Sequence, residues 1–210
     1  MRILKIFGDN EKNIKTIKAF LEQGKIIVFP TDTVYGLVCD AKNAGAVKKI
    51  FEIKKRPREK PLGIFVKDIK MAKRFAQINK RKERFLKKVW PGKMTVVLKR
   101  KEMLPEILFA KKKTIGLRIP DYKLIKDLFL KINFPLAQTS ANISGKPATG
   151  RIKEVLEYFT SQKVKPDLVL DAGNLKRAKA SSVLGLAFKI PKILRSGEME
   201  KSQLEWLQKI

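Results

Sequence analysis

The chain has 210 residues, 44% of them hydrophobic, which suits one domain large enough for a proper core. It has no histidine and a single cysteine, Cys39, which excludes a Ser-His-Asp triad, a histidine general base, a zinc cluster and an intrachain disulfide. The formal net charge is +28, from 48 Lys+Arg against 20 Asp+Glu, and no segment approaches the roughly 20 apolar residues of a membrane span.

Residues 2–7 read as a strand. Residues 11–23 read as a helix with Ile14, Ile17, Phe20 and Leu21 on one face and Gly24 as its stop. A strand over 25–29 follows and ends at Pro30, which cannot donate to a sheet ladder. Asn43 is placed to cap a helix running to about residue 55, with Val47, Ile50 and Phe51 inward. A strand is expected over 62–66. Helices are expected over 68–76 and 81–90, the second broken by Pro91-Gly92. Further strands are read at 94–100, 115–119, 135–138, 167–171, 181–186 and 188–194, with helices at 121–132, 151–159 and 199–209 among them. The alternation predicts an α/β fold: a single domain with a twisted, open, mixed sheet and helices on its faces. Three hairpin-like adjacencies over 167–194 argue against an all-parallel sheet. There is no repeat and no interdomain linker.

Of the basic residues 37 are Lys and 11 are Arg, and they are spread along the whole chain. Directed phosphate recognition favours Arg, so most of this charge reads as a lysine-rich surface. Weak, nonspecific binding of double-stranded RNA or tRNA is expected, without a dedicated nucleic-acid module. The first residues carry no secretory signal, and a lone cysteine fits a reducing compartment. A soluble cytoplasmic protein with no membrane association is the expectation.

Three segments carry chemistry. Thr31-Asp32-Thr33 sits beyond the strand end after Pro30, with Gly36 close behind, where α/β sheets bind ligands. A self-bonded Asx-type turn is the alternative there. In Lys54-Lys55-Arg56-Pro57-Arg58-Glu59-Lys60-Pro61, Lys54 continues the buried stripe of Val47 and Ile50. A lysine on that face either snorkels out at the helix end or enters a polar cavity. Arg56, before a proline, is biased to leave the helix extended. In Gln138-Thr139-Ser140-Ala141-Asn142-Ile143-Ser144-Gly145, hydroxyls, amides and a glycine close an apolar strand. No Walker A or Gly-x-Gly-x-x-Gly pattern occurs. Arg118 and Arg195 each lie in apolar runs and imply an anionic partner, by default an internal carboxylate and otherwise a ligand.

In this order and spacing the chain resembles the threonylcarbamoyl-AMP synthase family, the YrdC-like proteins, over roughly residues 10–197. The resemblance rests on Pro30-Thr31-Asp32-Thr33-Val34-Tyr35-Gly36-Leu37, Lys54-Lys55-Arg56-Pro57, Lys60-Pro61-Leu62, Trp90-Pro91-Gly92 and Gly116-Leu117-Arg118-Ile119-Pro120. It continues through Thr139-Ser140-Ala141-Asn142-Ile143-Ser144-Gly145-Lys146-Pro147, Asp171-Ala172-Gly173 and Leu194-Arg195-Ser196-Gly197. It implies one YrdC-like domain over 1–210 with a large, positively charged cavity, in the short form without an extra C-terminal domain. It implies condensation of L-threonine, bicarbonate or CO2, and ATP to threonylcarbamoyl-AMP, with release of pyrophosphate and with Mg2+ carried by ATP. The product would pass to a separate threonylcarbamoyl transferase that modifies adenosine 37 of tRNA.

By the same resemblance Lys54, Arg56, Ser140 and Asn142 form the catalytic group. Thr33, Arg118, Gln138 and Ser181 line the threonine site. Arg56, Lys60, Thr114, Ser140 and Arg195 surround ATP. Two departures stand out: Phe65 where several relatives carry histidine near the threonine, and Gly185 where an acid is usual. A same-fold paralogue with other substrates, or a non-catalytic RNA-binding protein, are the alternatives. The intact Lys-x-Arg and Ser-x-Asn pairs weigh against the first, and the absence of an aromatic RNA-binding strand against the second.

Overall fold

In the computed structural model of the chain, which describes residues 1–6, 10–176, 179–188 and 190–197, the apolar runs become ten strands of a single mixed sheet. The strands are β1 (Arg2–Lys5), β2 (Ile27–Phe29), β3 (Gly36–Asp40), β4 (Gly63–Phe65), β5 (Met94–Lys99), β6 (Thr114–Arg118), β7 (Leu136–Ser140), β8 (Leu168–Asp171), β9 (Ser182–Gly185) and β10 (Lys192–Arg195). The helices are α1 (Asn10–Glu22), α2 (Ala44–Lys54), α3 (Ile69–Phe75), α4 (Lys80–Val89), α5 (Lys123–Lys131) and α6 (Ile152–Thr160). The expected helix over 199–209 and the end of the first expected strand, at residue 7, lie outside the described residues.

The strand order is β1-β8-β2-β3-β7-β4-β6-β5-β9-β10, open at both edges. Pairing is parallel between β1 and β8, β2 and β8, β4 and β6, and β5 and β9, and antiparallel elsewhere. The mixed sheet agrees with the pattern of the sequence, but the reason given for it is corrected in part. Among the described residues only β9 and β10 form a hairpin within 167–194, because β8 returns to the far side of the sheet between β1 and β2.

A second correction is β3, a strand where the sequence reads only a turn. It pairs with β2 through Ile27↔Val38 and Phe29↔Gly36, so residues 30–35 form a hairpin loop. β7 likewise runs to Ser140, placing Thr139 and Ser140 in the ladder and not in a loop beyond it.

Periodicity explains the helices. Ile14, Ile17 and Leu21 of α1 are buried, and α1 packs on α5, β2 and β3. The Asn43 side chain accepts from the Ala46 N–H at 2.9 Å and starts α2. Val47, Ile50, Phe51 and Lys54 then share its buried face.

α2 ends on Lys55, whose backbone is left-handed at φ 49° and ψ 45°; the next N–H, that of Arg56, returns to the Phe51 carbonyl. That turn redirects Arg56 away from the helix axis. A lysine there carries a local backbone cost of about 1 kcal/mol that glycine would not. Lys55 is exposed, so Lys55→Gly should raise stability by ~0.5–1 kcal/mol in chemical denaturation. A loss of stability would mean that the Lys55 side chain makes a contribution larger than this strain.

Candidate functional site

Side chains alternate along a strand, so residues two apart share a face. Gly63 and Phe65 on β4, Thr95 and Val97 on β5, Thr114, Gly116 and Arg118 on β6, and Gln138 and Ser140 on β7 therefore meet on one side of the sheet. They floor a cavity of about 260 Å³. The β2–β3 loop contributes Thr31 and Thr33, the segment after α2 contributes Arg56 and Pro61, and Ser181 and Arg195 close the far end. Gly63 keeps the floor open: a Cβ there would lie 2.4 Å from the Gln138 amide nitrogen.

Among the described residues, three guanidiniums line this cavity and no carboxylate does. Arg56, half-buried, is aimed by two carbonyls: its Nε donates to Lys60 O at 3.0 Å and one terminal nitrogen to Pro61 O at 2.8 Å. Burial lowers its pKa. Arg195, exposed on the edge strand β10, donates twice to Ser181 O and once to the Ser181 hydroxyl. Neither has a carboxylate partner among the described residues. Arg118 is different: its NH2 lies 2.6 Å from Asp32 Oδ1, with both side chains buried. Its Nε donates to Gly92 O and its NH1 to Thr33 Oγ1. Burial pushes the Arg118 pKa down, and Asp32 opposes that shift.

The hydroxyls are ordered by the same contacts. Thr31 donates to Val34 O and accepts from the Thr33 N–H, leaving the Thr33 hydroxyl to donate to Thr31 and accept from Arg118. Across the cavity, Ser181 Oγ and Thr95 Oγ1 are 3.1 Å apart.

Lys54 does not reach the cavity. Its Nζ is buried beneath the end of β7, 2.8 Å from Ser140 O, 2.9 Å from Asn142 O and 2.6 Å from Asn142 Oδ1, with Ser140 Oγ at 3.3 Å. Ser140 Oγ in turn donates to Asn142 Oδ1 at 2.6 Å. The Lys54 carbonyl accepts from the Ser144 N–H, and the Asn142 amide donates to Ile143 O and Lys146 O. Burial, with the nearby Arg56 charge, draws the Lys54 pKa down to about 7. The surroundings of Nζ are acceptors only, however, and three protons on three oxygens is the arrangement of an ammonium. The oxygen cage therefore suits the charged form below about pH 7, and the desolvation that burial imposes favours its loss above that.

Of the residues singled out in the sequence, Thr33, Arg56, Thr114, Arg118, Gln138, Ser140, Ser181 and Arg195 thus line one cavity. Lys54 and Asn142 stand behind it, and the Lys60 side chain is exposed while its carbonyl orients Arg56. Thr31, read in the sequence as part of the polar segment at a strand end, lines the cavity too, and so does Thr95, which was not singled out. The signal for Thr95 was its place two residues before Val97 in a strand whose neighbours present polar groups.

A sequence model of the Sua5/YciO/YrdC family, described as "Telomere recombination", matches residues 19–197. A putative threonylcarbamoyl-AMP synthase of Methanocaldococcus jannaschii is 37% identical over 187 residues, covering 87% of this chain and 86% of the relative. The threonylcarbamoyl-AMP synthase of Pyrococcus abyssi is 34% identical over 196 residues, 93% of this chain; the chain spans 57% of that relative's length. The crystal structure of P. abyssi Sua5 complexed with L-threonine superposes with a TM-score of 0.89 at 32% identity, covering 98% of this chain and 60% of that one.

Proposed function

The chain belongs to the Sua5/YciO/YrdC family, and from that premise we propose that it is a threonylcarbamoyl-AMP synthase, condensing L-threonine, bicarbonate or CO2, and ATP. The observation that carries the reading is the set of three guanidiniums on one cavity with, among the described residues, a single carboxylate, Asp32, to offset them. A polyphosphate and a carboxylate are the anions such a site lacks.

The threonine amine adds to CO2, forming the N–C bond of a carbamate and releasing a proton; from bicarbonate the same bond forms with loss of water. A carbamate oxygen then attacks the α-phosphorus, and the bond to the β-phosphate oxygen breaks to free pyrophosphate. Such a transfer depends on positioning and charge stabilisation more than on a protein nucleophile. Arg56 and Arg195 would hold the triphosphate, with Thr114 at its edge. Ser140 would hydrogen-bond the reacting group, held in place by Asn142 and Lys54. Arg118, Thr33 and Ser181 would take the threonine.

Mg2+ would enter with ATP. Among the described residues the lining offers hydroxyls and no carboxylate, a donor set that leaves the ion to phosphate oxygens and water. Among the described residues no group of three or more His, Cys, Asp or Glu could hold a metal ion. Bound, the ion would neutralise triphosphate charge. The product would pass to a threonylcarbamoyl transferase acting on tRNA, which the lysine-rich surface would bind weakly and in a salt-dependent way. No helix among the described residues is long and apolar enough to cross a membrane.

Pyrophosphate release with ATP, magnesium and bicarbonate, with and without L-threonine and with serine as control, tests the reading. Release that does not depend on threonine would overturn it. In the same assay Arg56→Ala should lower kcat by ~10²-fold, the usual loss for one aimed donor to developing charge. Near-wild-type turnover would remove Arg56 from the phosphate site.

A further inference from the structure

Arg118 has five N–H groups, and three are already engaged: with Gly92 O at 2.8 Å, Thr33 Oγ1 at 3.3 Å and Asp32 Oδ1 at 2.6 Å. One N–H remains on each terminal nitrogen, on a side chain that lines the cavity. The orientation of those two depends on Asp32. Its Oδ1 takes the guanidinium, and its Oδ2 accepts the Asp121 backbone N–H at 3.1 Å. The carboxylate cannot turn without losing one of these bonds. It also joins the β2–β3 loop to the segment after β6 through Asp121, 89 residues away in sequence. Asp32 itself does not line the cavity.

We infer that Asp32 is a positioning residue for the α-carboxylate of the amino-acid substrate, acting through Arg118; this rests on the synthase reading above. The buried pair presents the guanidinium in one orientation and leaves its remaining edge for a second carboxylate. Removing the Asp32 charge alone would strengthen the attraction of Arg118 for any anion. Loss of orientation predicts the opposite, weaker binding of the substrate that needs the fork, and this opposition makes the inference decisive to test.

The test is steady-state pyrophosphate release by the full chain. In Asp32→Asn the amide can accept from Arg118 or from Asp121 N–H, and its other atom is a donor, so one of the two bonds is lost. The apparent KM for threonine should rise by about 10-fold or more, with kcat at saturating threonine within about 3-fold and the KM for ATP within about 2-fold of wild type. Asp32→Glu, which keeps both oxygens, should fall between. In Asp32→Asn/Arg118→Lys the threonine KM should rise no further than in Arg118→Lys alone, because the two residues act as one unit. An unchanged or lowered threonine KM, equal rises for threonine and ATP, or additive losses in the double variant would each overturn the inference. Should Asp32→Asn fail to fold, Asp32→Glu decides on the same readout: a selective rise in threonine KM supports it and none overturns it. Wild-type protein without threonine-dependent release would instead overturn the synthase reading, and this inference with it.

Discussion

Lys54→Met is expected to lower kcat/KM by ~10²–10³-fold, although Lys54 does not itself line the cavity. Its ammonium holds Ser140 O, Asn142 O and Asn142 Oδ1 together at the end of β7. Methionine fills the same volume and supplies no donor. Ser140 O keeps the Asn142 N–H and Asn142 Oδ1 keeps the Ser140 hydroxyl, but Asn142 O loses its donor, at about 1–3 kcal/mol, and the link between the three oxygens is gone. Relief from burying an ammonium offsets part of that loss. The segment 140–144 should relax, and with it the Ser140 hydroxyl that faces the cavity. A displacement of about 1 Å at a reacting group costs ~10²-fold in rate. Pyrophosphate release together with proteolysis near residues 140–146 checks this: the variant should be both slow and more readily cut there. A variant with wild-type proteolysis and low rate would return Lys54 to direct contact with the phosphates.

The same residue carries a pH signature. Its folded pKa, drawn down to about 7, lies below that of an unfolded lysine. Above pH ~7 and up to the ordinary lysine range, the unfolded chain therefore binds a proton that the folded protein lacks. Stability rises with pH wherever the unfolded state holds more protons, so this group should contribute a rising slope across that window. Lys54→Met should flatten the slope. Identical slopes in the two proteins would mean that the oxygen cage holds the proton on throughout.

Lys54 also shows how far the sequence could be read. Its place on the stripe of Val47 and Ile50 marked it as a lysine needing an explanation. The two explanations open at that level were escape to solvent or entry into a cavity. The structure gives a third, a buried ammonium capping a strand end 86 residues away, and no local pattern encodes that partner. β3 was missed because Gly36-Leu37-Val38-Cys39-Asp40 is a short run buried on nearly every residue, with no alternation to reveal a strand. Thr31-Asp32-Thr33 was visible as a polar turn, and the choice between ligand site and self-bonded turn proved too narrow. Thr31 and Thr33 do bond each other while lining the cavity, and Asp32 bonds Arg118. Helices and most strands follow from periods of 3.6 and 2. Strand order, such as β8 between β1 and β2, follows from long-range packing that no window of residues contains. The two isolated arginines were read by one rule, that such a charge needs an anion. Arg118 finds an internal one, and among the described residues Arg195 finds the carbonyl and hydroxyl of Ser181.

That contrast sets the last expectation, for Arg118→Ala. Removing the guanidinium strands the Asp32 carboxylate, 8% exposed in the intact pair, with the Asp121 N–H as its one remaining partner among the described residues. Breaking one side of a buried ion pair costs about 3–5 kcal/mol, which in a chain of this length lowers Tm by about 6–20 °C. Threonine affinity should fall in the same variant, so the single substitution cannot separate folding from binding. Arg118→Ala/Asp32→Ala can. With both charges gone no carboxylate is stranded, and at least about half of the lost stability should return. Threonine affinity, measured by calorimetry on the folded variants, should not return, because the donor for its carboxylate is still missing. Recovery of both would make Arg118 a structural residue and move the carboxylate site elsewhere in the cavity. Recovery of neither would mean that Gly92 O and Thr33 Oγ1, stripped of their donor in both variants, hold this end of the sheet more firmly than the ion pair does.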